Sequence, residues 1–188
     1  MTSMTSSRAR DRPPVDAPGD ESFRAVFDRE FDYVWTSLRR LGVRDSDRED
    51  VAQDVFVRVH RQFPSYDRSR PIRPWLFAFA ARCAADWRRQ TRHRVEVLGT
   101  RGEPASSTSS ADAAIATAED AGLVLRALQS VDIDRRAVFI LHELDECPMK
   151  EIARSLGIPL FTGYSRLRVA RKEFAAAVRQ LRRARGEP

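Results

Sequence analysis

The sequence predicts an all-α chain built as two small helical domains joined by a flexible linker, the second domain containing a helix-turn-helix. Three observations predict it. Apolar residues recur at intervals of three and four over most of the chain, the period of a helix that buries one face. No stretch of useful length alternates apolar and polar residues as a half-buried strand would. The segment VEVLGTRGEPASSTSSADAAIATAED, residues 95–120, interrupts the pattern with glycine, proline and a Ser/Thr cluster, the composition of a flexible linker.

Residues 1–20 are mostly Ser, Thr, Arg, Asp and Pro, too polar to offset the entropy of ordering, and are expected to form a disordered tail. The first domain is expected over 21–94. Its first helix follows from Phe23, Phe27, Phe31, Val34, Leu38 and Leu41, with Gly42 ending it. Its second, in DSDREDVAQDVFVRVHRQF, has Asp or Ser caps at 45–47, acidic residues in the first turn and a stripe of Val51, Val55 and Val59 beside Ala52 and Phe56. The prolines of PSYDRSRPIRP make a loop. A third helix then buries Trp75, Leu76, Phe79, Ala80, Cys83 and Trp87 and ends in Arg88, Arg89, Arg92, His93 and Arg94.

The second domain is expected over 121–185. Leu123, Leu125, Leu128 and Val131 predict one helix, 135–144 another, 149–156 a short third and 159–185 a long fourth. Within MKEIARSLGIPLFTGYSRLRVARKEF, Ala153 provides the small residue where two helices press together and Gly157 the turn residue tolerant of positive φ. Ile152, Leu156, Ile158, Leu160 and Leu167 are expected on the inner face, and Pro159 at the start of the second helix. Thr162, Ser165, Arg166, Arg168, Arg171 and Lys172 are left outside, able to reach base edges and phosphates; a packed helical hairpin with a solvated basic face is the competing reading. Gly163 falls where a helix-turn-helix places a core-filling aliphatic residue, a gap that Phe161 or Tyr164 is expected to fill.

A net charge of +6 and a pI near 10.1 favour an acidic partner such as nucleic acid or an anionic surface. Cys83 and Cys147 form no disulfide framework, and His60, His93 and His142 have no ligand spacing with them, so neither metal nor cofactor is expected. Asp50, Asp54 and His60 do not share a tight helical face, which disfavours a metal-dependent enzyme. No uncharged apolar run approaches the ~20 residues of a membrane span, and a cytoplasmic protein is expected.

Taken together, REDVAQDVFVRVHRQF, RPWLFAFAARCAADWRRQTRHR and the 149–174 stretch resemble an extracytoplasmic-function (ECF) sigma factor, a two-domain member of the sigma-70 family of bacterial transcription initiation factors. The resemblance covers about 23–94 and 123–174. It implies a promoter-specificity subunit rather than an enzyme, whose partners are core RNA polymerase, promoter DNA that is duplex at −35 and melted at −10, and an anti-sigma protein. By the same resemblance Asp50, Gln53, Asp54 and Phe56 bind the polymerase, the carboxylates and amide by charge-assisted hydrogen bonds and Phe56 as an apolar anchor. Phe63, Tyr66 and Arg82 are the implied contacts to a flipped −10 base, with Arg88, Arg89 and Arg92 on the strand's backbone. Thr162, Tyr164, Ser165 and Arg168 would face −35 bases, and Arg166 and Arg171 phosphates. Arg82, Phe161, Gly163 and Cys147 depart from the family's usual residues, so its base preferences do not transfer. A stand-alone helix-turn-helix regulator is the alternative, requiring a dimer seam that the sequence does not display.

Overall fold

The computed structural model describes residues 22–98 and 112–185, with side chains placed for 22–94 and 120–185. The expected tail and the middle of the expected linker, 99–111, lie outside the described residues. Among those described are seven α-helices: α1 Phe23–Leu41, α2 Arg48–Gln62, α3 Ile72–Leu98, α4 Asp112–Gln129, α5 Ile133–Phe139, α6 Met149–Leu156 and α7 Leu160–Ala184. Both ends of the segment expected as a linker are therefore helical, belonging to α3 and α4.

The first lobe packs α1, α2 and α3 together. Ser22 caps α1, its Oγ accepting from the Ala25 amide, and Gly42 ends that helix at a φ of 92°, a left-handed conformation open to glycine without a Cβ clash. Val34, Leu38, Leu41, Val51, Val55, Val59, Leu76, Phe79, Ala80 and Cys83 are buried, as the periodicity requires, while Phe23, Phe27, Phe31, Trp75 and Trp87 are half-buried against them and Val26 and Phe77 are buried outside the expected stripes. Asp45–Asp47 form a 3-10 turn rather than a side-chain cap, and Asp47 precedes α2 with no capping hydrogen bond.

In the second lobe, α5 continues into a π-helical turn, Ile140–Leu144. Glu146 follows with a φ of 51°, a conformation that is uncommon for a residue with a side chain. Gly157 closes α6 with a φ of 68°, and the Ile158 amide donates to the Ala153 carbonyl at 2.9 Å, so the chain turns directly into α7. Helices α4, α5 and α6 all pack on α7.

The two lobes also pack on one another, and their buried residues form one contiguous cluster. Arg136 of α5 is 1% exposed. Its guanidinium reaches into the first lobe and donates from Nη1 to the Leu41 carbonyl at 2.5 Å, while Nη2 donates to the Gln129 and Val131 carbonyls, each at 2.8 Å. It thereby satisfies an orphan carbonyl at the end of α1. A Cβ on Gly42 would lie 2.7 Å from Arg136 Nη1, so this contact depends on glycine's lack of a side chain. Burial first and the charge of Arg88 second bring the Arg136 pKa down to about 10, leaving the group cationic at neutral pH. Around this wedge, the Tyr33 hydroxyl donates to Asp145 at 2.7 Å and Arg40 to the same carboxylate at 3.1 Å. Arg70 donates to Glu151 at 3.0 Å.

Candidate polymerase and nucleic-acid interfaces

The acidic face of α2 is held out by an apolar stripe that fixes its opposite side. Asp50, Gln53 and Asp54 are exposed, whereas Val51, Val55 and Val59 are buried. Asp50 and Asp54 border a cleft of about 510 Å³ between α2 and α3, lined also by Arg58, Asp86, Trp87 and Arg94. Arg58 donates to Asp86 across it at 3.1 Å, tying the helices together. Cys83 lies against this cleft, its thiol pushed up to about 11 by burial first and so protonated at neutral pH. The expectation for Phe56 needs correction. It is 5% exposed, with its ring 4.6 Å from Phe27 and 5.9 Å from Phe31, so it supports α2 from within instead of offering an exposed anchor.

The loop joining α2 and α3 is organised by aromatic packing. Phe63 is 9% exposed, edge-on to Phe23 and stacked with Tyr66, which leaves little of its face open to a base. Tyr66 is half-buried, 4.7 Å from Trp75, and its hydroxyl donates to the Arg70 carbonyl. The open cations lie along α3. Arg82 is exposed over the Phe79 ring, Arg89 donates to Asp86 at 2.7 Å, and Arg92 is exposed. Arg82 and Arg89 fall within roughly 20° of one another around the axis at about 100° per residue, making a basic edge. Arg88 is half-buried and faces the charge of Arg136.

On α7, Gly163, Leu167 and Ala170 are buried, while Tyr164, Ser165, Arg168 and Lys172 are exposed. Arg166 pairs with Asp134 at 3.0 Å and Arg171 with Glu143 at 2.7 Å, tying both to their own lobe. Thr162 is half-buried and sits about 120° around the helix from Arg168, off the centre of the exposed face. Leu160, expected inside, is 48% exposed. Neither Phe161 nor Tyr164 fills the space beside Gly163; at 75% and 56% exposure they point outward. Met149 fills it, its Sδ 2.6 Å from where a Gly163 Cβ would stand. Phe161 therefore joins the outer face, a position legible from its spacing to Ser165 and Arg168 but missed when it was assigned to the gap.

This geometry defines a helix-turn-helix protein with an exposed acidic helix face and a basic helical edge in its other lobe. The chain matches Sigma-70 region 2 over residues 26–94 and Sigma-70, region 4 over residues 121–174. The ECF RNA polymerase sigma factor SigL of Mycobacterium tuberculosis is 30% identical over 160 residues, spanning 84% of this chain and 89% of that protein. SigW of Bacillus subtilis, also an ECF RNA polymerase sigma factor, is 26% identical over 173 residues, 87% of this chain and 92% of its own. The chain belongs to the sigma-70 family, among its ECF sigma factors. The same fold occurs in the sigma factor RpoE solved with the anti-sigma factor NepR from Bartonella quintana, at a TM-score of 0.63 and 18% identity, covering 84% of this chain and 96% of that one. CnrH, solved with the cytosolic domain of CnrY, gives 0.57 and 22%, covering 84% and 88%. Among the described residues no helix is long and apolar enough to cross a membrane.

Proposed function

We propose that this ECF sigma factor binds core RNA polymerase through Asp50, Gln53 and Asp54, reads the −35 duplex with the exposed face of α7, and engages the melted −10 strand with the edge of α3. The observation that carries this reading is the exposure of all three α2 groups on a helix whose other face is anchored in the core. Fixed carboxylates meet arginines of a partner without a large ordering cost, so their charge-assisted hydrogen bonds favour binding. The chemistry of RNA synthesis belongs to the polymerase; this chain contributes promoter choice and differential binding to melted DNA. An anti-sigma protein is a further partner in this reading, as NepR is for RpoE.

The closed lobes bear on the order of events. Elements centred about 25 base pairs apart lie roughly 85 Å apart along B-DNA at 3.4 Å per pair. Lobes joined by hydrogen bonds at Arg136, Tyr33 and Arg70 cannot serve both elements, so promoter engagement separates them. Asp50 and Asp54 stay exposed in the closed form, which makes polymerase the partner that can bind first.

Titration of the fluorescently labelled chain with bacterial core RNA polymerase tests the assignment. Replacing Asp50 and Asp54 with arginine removes two charge-assisted contacts worth about 1.5–3 kcal/mol each, so affinity should fall by more than about 100-fold. Unchanged affinity in a folded Asp50→Arg, Asp54→Arg variant would move the docking surface elsewhere. Absence of binding by the wild-type chain would overturn the polymerase assignment itself.

A further inference from the structure

The first turn of α7 combines two features that normally exclude each other on a solvated helix. Leu160, Phe161 and Tyr164 are 48%, 75% and 56% exposed. They sit among Arg168, Arg171 and Lys172, and no element of the second lobe covers the two aromatic rings as it covers Leu167 and Ala170. At about 100° per residue, Phe161 and Tyr164 lie roughly 60° apart with Arg168 between them, so aromatic carbon and positive charge share one narrow strip. Exposed apolar surface of this kind marks a contact surface.

We infer that Phe161, with Tyr164 beside it, reads thymine 5-methyl groups in the −35 duplex. The inference rests on α7 being the DNA-reading helix. A recognition helix presents its N-terminal residues to base edges in the major groove. The apolar group exposed there is the thymine C5-methyl, and phenylalanine is among the side chains that contact it. The surrounding cations select DNA as the occupant, because Arg168 and Lys172 complement phosphates and do not favour a purely apolar protein groove. Pairing of Arg166 to Asp134 and Arg171 to Glu143 leaves this strip as the principal side-chain surface available for direct readout. Cytosine at the same step presents only C5–H where thymine has its methyl, so the apolar contact is lost, and its N4 amino donor stands in place of the thymine O4 acceptor beside the ring.

The test uses the full chain bound to core RNA polymerase. Duplexes randomised across the −35 segment are selected for binding, and the preferred one is resynthesised with deoxyuridine replacing each thymine in turn, which deletes only the methyl. The wild-type complex should lose about fourfold in affinity at each thymine whose methyl is buried. Phe161→Ala, a substitution at an exposed position whose folding is checked by thermal melting, should bind the thymine and uracil duplexes equally. Equal wild-type binding to both would overturn the inference while leaving α7 as the reading helix. Enrichment of no −35 sequence would overturn both. Loss of polymerase affinity in Phe161→Ala, with methyl discrimination retained, would identify the strip as a protein contact and refute the inference.

Discussion

Replacing Gly42 with alanine tests whether Arg136 holds the lobes together, and Gly157→Ala provides the control. Both glycines end helices in the left-handed region, at φ values of 92° and 68°. Alanine in that region costs about 1–2 kcal/mol. A Cβ at Gly157 meets nothing within 4 Å, so this conformational cost is the expected total. At Gly42 the Cβ would stand 2.7 Å from Arg136 Nη1, and the guanidinium must leave the Leu41 carbonyl. Loss of a charged hydrogen bond adds about 1.5–3 kcal/mol, for a sum of about 2.5–5. Urea denaturation measures both. Trp35, Trp75 and Trp87 all lie in the first lobe, so fluorescence follows that lobe while far-ultraviolet circular dichroism follows both. Coincident transitions in the wild type and separated ones in Gly42→Ala are expected if the wedge couples the lobes. In an Arg136→Met background the Gly42→Ala penalty should fall to that of Gly157→Ala, because the clash has gone. Equal penalties at the two glycines in the wild-type background would refute the wedge.

Two further predictions concern stability within each lobe. The buried Glu30 carboxylate has its pKa raised by burial, but hydrogen bonds from Arg29 and Arg73 outweigh that effect and hold it below its ordinary value of 4.5. Its stabilising contribution is therefore complete above about pH 4.5 and lost as pH falls through the depressed folded-state value, so wild-type stability should drop more steeply on acidification than that of Glu30→Gln in urea titrations at stepped pH. Gly163→Leu places a side chain in space held by Met149 and should cost about 1–3 kcal/mol; adding Met149→Ala should recover much of it, read from the denaturation midpoints.

The helices and the helix-turn-helix were legible because burial repeats at the helical period, although in α1 the buried face shifts to include Val26, Glu30 and Ser37 while Phe23, Phe27 and Phe31 are half-buried. Val51, Val55 and Val59 are buried where the stripe requires. The phase of α7 was less legible because its buried face includes Gly163, Ala170 and Ala177, small residues that carry little hydrophobic signal, while Leu160 and Phe161 are exposed. One residue of phase error is about 100° of rotation, enough to move Leu160 from outside to inside. Phe56 fitted both a core stripe and an exposed anchor until its contacts with Phe27 and Phe31 separated the two roles. The lobe interface depends on pairs far apart in sequence, such as Arg136 with Leu41 and Tyr33 with Asp145. Within DIDRRAVF, Arg136 reads as one more solvated charge, because periodicity carries no information about a distant carbonyl.

If the proposed function holds, the lobe interface links promoter choice to polymerase binding by ordinary population arithmetic. When only a fraction of free chains has separated lobes, apparent affinity for a promoter that requires separation is reduced by that fraction. Every 1.4 kcal/mol of closure stability reduces it tenfold. The exposed carboxylates of α2 do not share this penalty, so polymerase binding is set independently of lobe closure as long as the enzyme contacts only that face. Once bound, polymerase contacts that favour open lobes would reduce the closure penalty. On the proposed function, free chain would thereby be kept from occupying promoters that it cannot transcribe, while polymerase-bound chain would recover the affinity that closure withheld.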